Sequence, residues 1–228
     1  MLSVGEIISY WEMCQAEGAS LQRGMNYRLR GKSSVILMSL RKNAPYADKV
    51  EESGRILIYE GHDVPRRKAS IPKAVDQEMY EENSKLTQNG LFFNAATEFK
   101  DGKRSPEMVK VYEKIRDGIW SYDGIFELLD GWIEESKGRK VFKFKLEITD
   151  QGEHKNADIK IDHNRLIPKE VKIEVWKRDK GRCIVCGTTE NLHFDHIIPF
   201  SKGGSSLDPK NIQILCAKHN LTKRDKIE

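Results

Sequence analysis

The sequence predicts an α+β protein in two parts: a curved, partly closed β-sheet with flanking helices over residues 1–150, and a small cysteine-stapled unit over residues 168–228. Three observations carry this. Strand-like runs recur through the first part, and in the clearest of them Phe142, Phe144, Leu146 and Ile148 alternate with polar neighbours at period two. Residues 150–166 then turn polar and lose all periodicity, as a connecting segment would. Three of the four cysteines, Cys183, Cys186 and Cys216, fall beyond that break.

Taken in order, Val4, Ile8, Trp11 and Cys14 recur at helical spacing, predicting an amphipathic N-terminal helix with Cys14 packed as a small apolar residue. Strands are expected in the runs that begin at Ser33, Gly54 and Met108. Val75, Met79, Asn83 and Leu86 suit one helix closed by Gly90. Residues 151–167 read as a linker. Pro168 opens a new helix in which Val171 and Val175 lie one turn apart and Gly181 is the stop.

Composition narrows the classes. At 228 residues, 38% hydrophobic and 32% charged, the chain suits a soluble globular protein and not a disordered one. No apolar run approaches the ~18 residues of a membrane span. The first residues lack the basic start of a signal peptide, so no membrane partner and a cytoplasmic location are expected. The net charge of +4 sits entirely from Pro168 onward, where 12 Lys and Arg face 8 Asp and Glu; the rest holds 27 of each. That bias suits a polyanionic partner.

Cys183-x2-Cys186 is followed after 29 residues by Cys216-x2-His219. Two short knuckles of two soft or borderline ligands each make a tetrahedral zinc site, and a unit this small depends on such a staple. Between the knuckles, Leu192 and Phe194 place Asp195 and His196 at a strand end. Pro199, Gly203 and Gly204 mark a loop, Asn211 to Leu215 returns as a second strand, and the last knuckle starts a helix carrying Asn220.

This segment resembles the HNH, or ββα-metal, endonucleases over roughly residues 170 to 226. The matching residues are Asp195-His196 with Ile197, Ile198 and Pro199, the glycine pair, Asn211, and Cys216-x2-His219-Asn220 with Lys223. The resemblance implies roles. His196, of a residue type with pKa near 6.5, suits the general base. Asp195 and Asn220 offer hard oxygen ligands to one catalytic divalent ion, Mg2+ or Mn2+. Asn211 holds the loop that orients the histidine, and Lys223 contacts a DNA phosphate. His193 reads as structural or as a DNA contact.

Residues 24 to 148 resemble the SRA domain. Tyr122-Asp123-Gly124 with Ile125-Phe126, Trp132 and the strand through Lys143–Leu146 match its YDG signature. Ser33 to Ser39, Tyr59-Glu60-Gly61, and Asp76-Gln77 with Asn83 and Leu86 in a helix match in order. SRA domains flip a modified cytosine out of duplex DNA, which requires aromatic faces for the base and an acceptor for its amine. The resemblance nominates Tyr46 and Tyr59 as the clamp and Asp48 as the acceptor, with Glu51 as its substitute, since the stretch is about one residue longer than the family pattern. Glu60 stands where the family commonly has threonine, which bears on the wall against the 5-substituent.

Together the resemblances imply a modification-dependent restriction endonuclease acting on double-stranded DNA that contains 5-methylcytosine or 5-hydroxymethylcytosine. Zn2+ would be structural and the protein a homodimer able to break both strands. Two alternatives stay open: a non-cleaving reader whose zinc module only binds DNA, and an HNH nuclease indifferent to modification.

Overall fold

The computed structural model describes residues 2–21, 23–40, 44–51, 55–149, 167–199 and 202–223. Its strands are β1 (Glu6–Ser9), β2 (Met25–Asn26), β3 (Ser34–Met38), β4 (Lys49–Glu51), β5 (Ile56–Glu60), β6 (Glu107–Arg116), β7 (Ile119–Ser136), β8 (Arg139–Ile148), β9 (Leu192–His196) and β10 (Ile212–Cys216). Its helices are α1 (Tyr10–Glu17), α2 (Gln88–Lys100), α3 (Lys169–Arg178) and α4 (Ala217–Lys223). The expected linker lies almost wholly outside the described residues. No helix among the described residues is long and apolar enough to cross a membrane.

The fold is α+β, and the strands join one continuous sheet. Along it run β10, β9, β1, β7, β6, β3 and β2, while β8 pairs with β7 and carries β5 and then β4. Among the described strands, only β3 and β6 pair in parallel. The long β7 makes this branching possible: its first half pairs with β1 and β6, and its second half with β8. Alternation along β8 buries Phe142, Phe144 and Leu146 against Phe92 of α2, each worth about 1.5–3 kcal/mol of apolar burial.

The N-terminus departs from the helical reading. Residues 6–9 are a strand, and the helix begins only at Tyr10, capped by Ser9, whose hydroxyl accepts from Glu12 N while Glu12 closes a capping box. Val4 and Trp11 are exposed. Ile7 and Ile8 point to opposite faces, as strand neighbours must: Ile7 enters the core around Val175, Phe194 and Ile214, and Ile8 the one around Met13, Tyr112 and Trp120.

The helix expected over Val75 to Leu86 is also absent. Asp76 accepts from Lys140 N, and Gln77 bonds to Lys140 O and Phe142 N, so this segment is drawn out along β8. The helix starts one residue after Thr87, whose hydroxyl caps Gly90 N. Gly90 therefore lies inside the first turn of α2. A Cβ there would stand 2.3 Å from Met79 O, so only glycine fits.

Candidate functional site: a zinc knuckle, a histidine hairpin and an aromatic pocket

The two knuckles converge as their spacing predicts. Cys183, Cys186, Cys216 and His219 offer ligand atoms that all lie within 4.8 Å of one another. Cys183 Sγ and Cys216 Sγ stand 3.4 and 3.2 Å from His219 Nδ1, and Cys186 Sγ stands 3.9 Å from Cys216 Sγ. A tetrahedron with Zn–S near 2.3 Å and Zn–N near 2.0–2.1 Å has edges of about 3.5–3.8 Å, so the sulfur–sulfur pair stands close to that spacing and the two sulfur–nitrogen pairs slightly inside it. Burial would push the Cys183 thiol up, but the backbone N–H groups of Cys186, Cys216 and Val185 outweigh it and bring the thiol to about 6, toward the thiolate a metal needs. The Cys3His cluster fits zinc.

Between the knuckles, β9 and β10 form a hairpin in which Asp195 pairs with Gln213 and His196 with Ile212. His196 Nε2 lies 2.8 Å from the buried Ser206 Oγ. Asn211 ties the loop: its carbonyl accepts from Ile198 N at 2.8 Å, and its amide donates to Ile198 O at 3.2 Å and Ser205 O at 3.0 Å. The second loop glycine makes that closure possible, since a Cβ on Gly204 would sit 1.8 Å from Ile198 O. Asn220 lies half-buried on α4, one residue past His219 of the Cys3His cluster.

Lys223 corrects the expectation of a phosphate contact. Its side chain is 2% exposed and its ammonium donates to Asp195 Oδ2 at 2.6 Å and to His196 O. Gln213 Nε2 donates to the same Asp195 Oδ2 at 3.0 Å. The last turn of α4 points inward, so the lysine holds the carboxylate instead of reaching out. His193 is buried too, facing Glu6 across β1 and β9. Neither Gln213 nor Ser206 was legible beforehand, because only the strand register and the loop closure bring them to Asp195 and His196.

In the N-terminal part, Tyr46, Asp48 and Tyr59 line one cavity of about 620 Å³, with Tyr10, Lys114 and Trp120 on other walls. Tyr59 is buried within β5 and its hydroxyl donates to Gly24 O at 3.1 Å. Tyr46 stacks on His62, the ring centroids 5.4 Å apart. Burial brings the His62 imidazole down to about 4, so it is neutral near pH 7. Asp48 Oδ1 accepts from Glu60 N at 3.0 Å and Oδ2 from Ser39 N at 3.2 Å. Burial nonetheless outweighs these bonds and raises its carboxyl to about 7. Glu51, at the exposed edge of β4, is not among the lining residues.

Glu60 turns away from the cavity. It pairs with Lys143 at 2.9 Å and Arg139 at 3.5 Å and accepts from Ala47 N, so it braces the segment that carries Tyr46 and Asp48. Tyr122 and Asp123 are buried within the sheet, away from the cavity.

Two family models match the chain: the SAD/SRA domain over residues 2–151 and the HNH endonuclease over residues 183–226. No curated protein matches it. Among solved structures, the SUVH5 SRA domain in complex with hemi-methylated CG DNA is similar at 25% identity, covering 68% of this chain and 94% of that one, with a TM-score of 0.47. The same domain bound to fully hydroxymethylated CG DNA matches at 23% identity over 68% and 95%, TM-score 0.47. The modification-dependent TagI restriction endonuclease matches at 19% identity over 98% of this chain and 78% of that one, TM-score 0.40. With the domain model spanning well over half of its residues and the nuclease model following it, the chain belongs to the SAD/SRA family in the form that carries an HNH endonuclease domain.

Proposed function

We propose that this chain is a modification-dependent DNA endonuclease. It recognises 5-methylcytosine or 5-hydroxymethylcytosine flipped into the Tyr46–Asp48–Tyr59 pocket and hydrolyses phosphodiester bonds at His196. The observation that carries the reading is the joining, in one chain, of an aromatic cavity holding a half-buried carboxyl to a hairpin that presents Asp195 and His196 on a zinc-fitting knuckle.

Flipping a base costs a few kcal/mol, and each stacking contact returns roughly 1–3 kcal/mol. Tyr46 and Tyr59 supply those faces. Asp48 accepts from the exocyclic amine, its two backbone N–H donors fixing the plane of the carboxyl. With Glu60 turned away, the cavity wall near the 5-substituent is free of carboxylate charge from that residue, which suits a small methyl or hydroxymethyl group.

In the nuclease module, the hydrogen bond between His196 Nε2 and Ser206 Oγ holds the imidazole in place, and the ring acts as the base that takes the proton from the attacking water. Asn211 ties Ile198 to Ser205 and thereby sets the ring's approach. Asp195 and Asn220 form a hard oxygen donor pair that fits Mg2+ or Mn2+, which when bound would place positive charge against the phosphate and the leaving oxygen. Lys223 and Gln213 both hold Asp195 Oδ2 and so orient the carboxylate. One such site cuts one strand, so two copies of the chain act together, as a homodimer, to break both.

The test is cleavage of matched duplexes, modified and unmodified, by wild type and His196→Ala with magnesium or manganese. Binding of modified duplex without any cutting would instead make the chain a non-cleaving reader, and equal cutting of both duplexes would make it a nuclease indifferent to modification.

A further inference from the structure

Where the two modules meet, Lys172 of α3 reaches into the sheet of the SRA domain. Its ammonium donates to Glu113 Oε2 at 2.9 Å and to Asp123 Oδ1 at 2.6 Å. The three side chains are 3%, 1% and 1% exposed. Asp123 is the middle residue of the YDG signature, held from its own strand by Ser121 Oγ at 3.0 Å. Two buried carboxylates facing one ammonium tolerate no loss of that ammonium, because an unpaired buried charge is costly.

A second contact lies beside it. β9 pairs with β1, Glu6 against His193 and Ile7 against Leu192, and Phe194 N donates to Gly5 O at 3.0 Å. Gly5 has φ of +83°, and a Cβ there would stand 2.9 Å from Phe194 O, so the approach demands glycine. Ile7 then completes the nuclease-side core with Val171, Val175 and Leu192. The module needs a strand from the far end of the chain to close its own interior.

The same strands carry the pocket. Lys114 and Trp120 pair across β6 and β7 and line the cavity, whereas Glu113 and Ser121, one residue along each strand, pair on the face turned to α3. Pocket and dock are thus opposite faces of one hairpin end.

We propose that this dock fixes the nuclease relative to the pocket and so sets one distance between the modified base and the cut; the second half rests on the function proposed above. The experiment has two arms on the full chain. In the first, a specific protease site is inserted between residues 151 and 166 and cleaved, and the fragments are run on gel filtration. They are expected to co-elute, and to separate in Lys172→Met that still carries its zinc. The triple variant Lys172→Met, Glu113→Gln, Asp123→Asn, which removes the stranded charges, is expected to co-elute again. Separation of the parent fragments, or retention of the Lys172→Met fragments, overturns the dock.

In the second arm, ten Gly/Ser residues are added to the same segment and the cut positions on a singly modified duplex are mapped. The distance is expected to stay unchanged. A distance that grows or spreads with the insertion overturns the proposal. If the parent does not cut at all, the functional reading fails, while the first arm still decides the dock.

Discussion

Every nuclease-module residue proposed for zinc or for chemistry falls between Cys183 and Asn220. The pocket, by contrast, draws its walls from Tyr10, Tyr46, Asp48, Tyr59, Lys114 and Trp120, brought together by α1, β5, the paired ends of β6 and β7, and the segment before β4. The first is a local construction around a Cys3His cluster that fits zinc, with a small core that borrows Ile7. The second is a long-range construction resting on the large core of Phe92, Phe126, Phe142 and Phe144. A metal can replace a core where the chain is short, but a cavity for a base needs a rigid wall on several sides.

The sharpest way to break this comparison is to remove zinc. Cys216→Ser, or a strong chelator, should take the zinc content from about one per chain to none. Structural zinc in small modules is worth apparent free energies on the order of 10 kcal/mol, so amide protection across β9 and β10 should collapse while that of β5 to β8 persists. Equal protection in both regions after zinc loss would contradict the division.

Next in size is the pocket. Tyr46→Ala removes a partly exposed stacking face without opening the core that Tyr59 belongs to, and should cost roughly 1–3 kcal/mol of modified-base binding. Competition between modified and unmodified duplexes should therefore lose about five- to a hundredfold of its ratio. Unmodified-duplex binding should hold steady. A ratio equal to wild type would remove Tyr46 from the site.

The smallest effect is a proton. Asp48 has a folded value of about 7 against an ordinary 3.8. The folded state therefore binds this proton more tightly, and its contribution to stability falls as pH rises from about 4 to about 7, then levels off. Asp48→Asn cannot titrate. Its thermal midpoint should gain on wild type across that window, by a few degrees at pH 7 and not at all near pH 4. A constant difference from pH 4 to 8 would mean the carboxyl is not held in a desolvated site.

The same contrast explains what the sequence made legible. The Cys3His cluster and the strand–strand–helix order follow from spacing along a short stretch, and the structure arranges both as that spacing implies. Lys223 misled because helical position alone does not tell which way the last turn of α4 faces; burial against Asp195 decides it. Ile8 and Trp11 imitated a helix because a strand followed at once by a helix scatters apolar residues at similar intervals. The stretch from Val75 to Leu86 has helical spacing, yet Asp76 and Gln77 find partners on the β8 backbone and hold it extended. The pairing of β1 with β9 had no local signal, since it joins residues almost two hundred positions apart.

The central claim is that one chain selects modified cytosine and cuts DNA with His196. It is tested most directly by single-turnover cleavage of duplexes of one sequence bearing cytosine, 5-methylcytosine or 5-hydroxymethylcytosine, with wild type and His196→Ala in parallel. The account predicts cutting of at least one modified duplex well above the unmodified one, and a loss of roughly 10²–10⁴-fold in rate for His196→Ala with duplex affinity unchanged. Cleavage by His196→Ala at the wild-type rate, or no discrimination among the three duplexes, would contradict it.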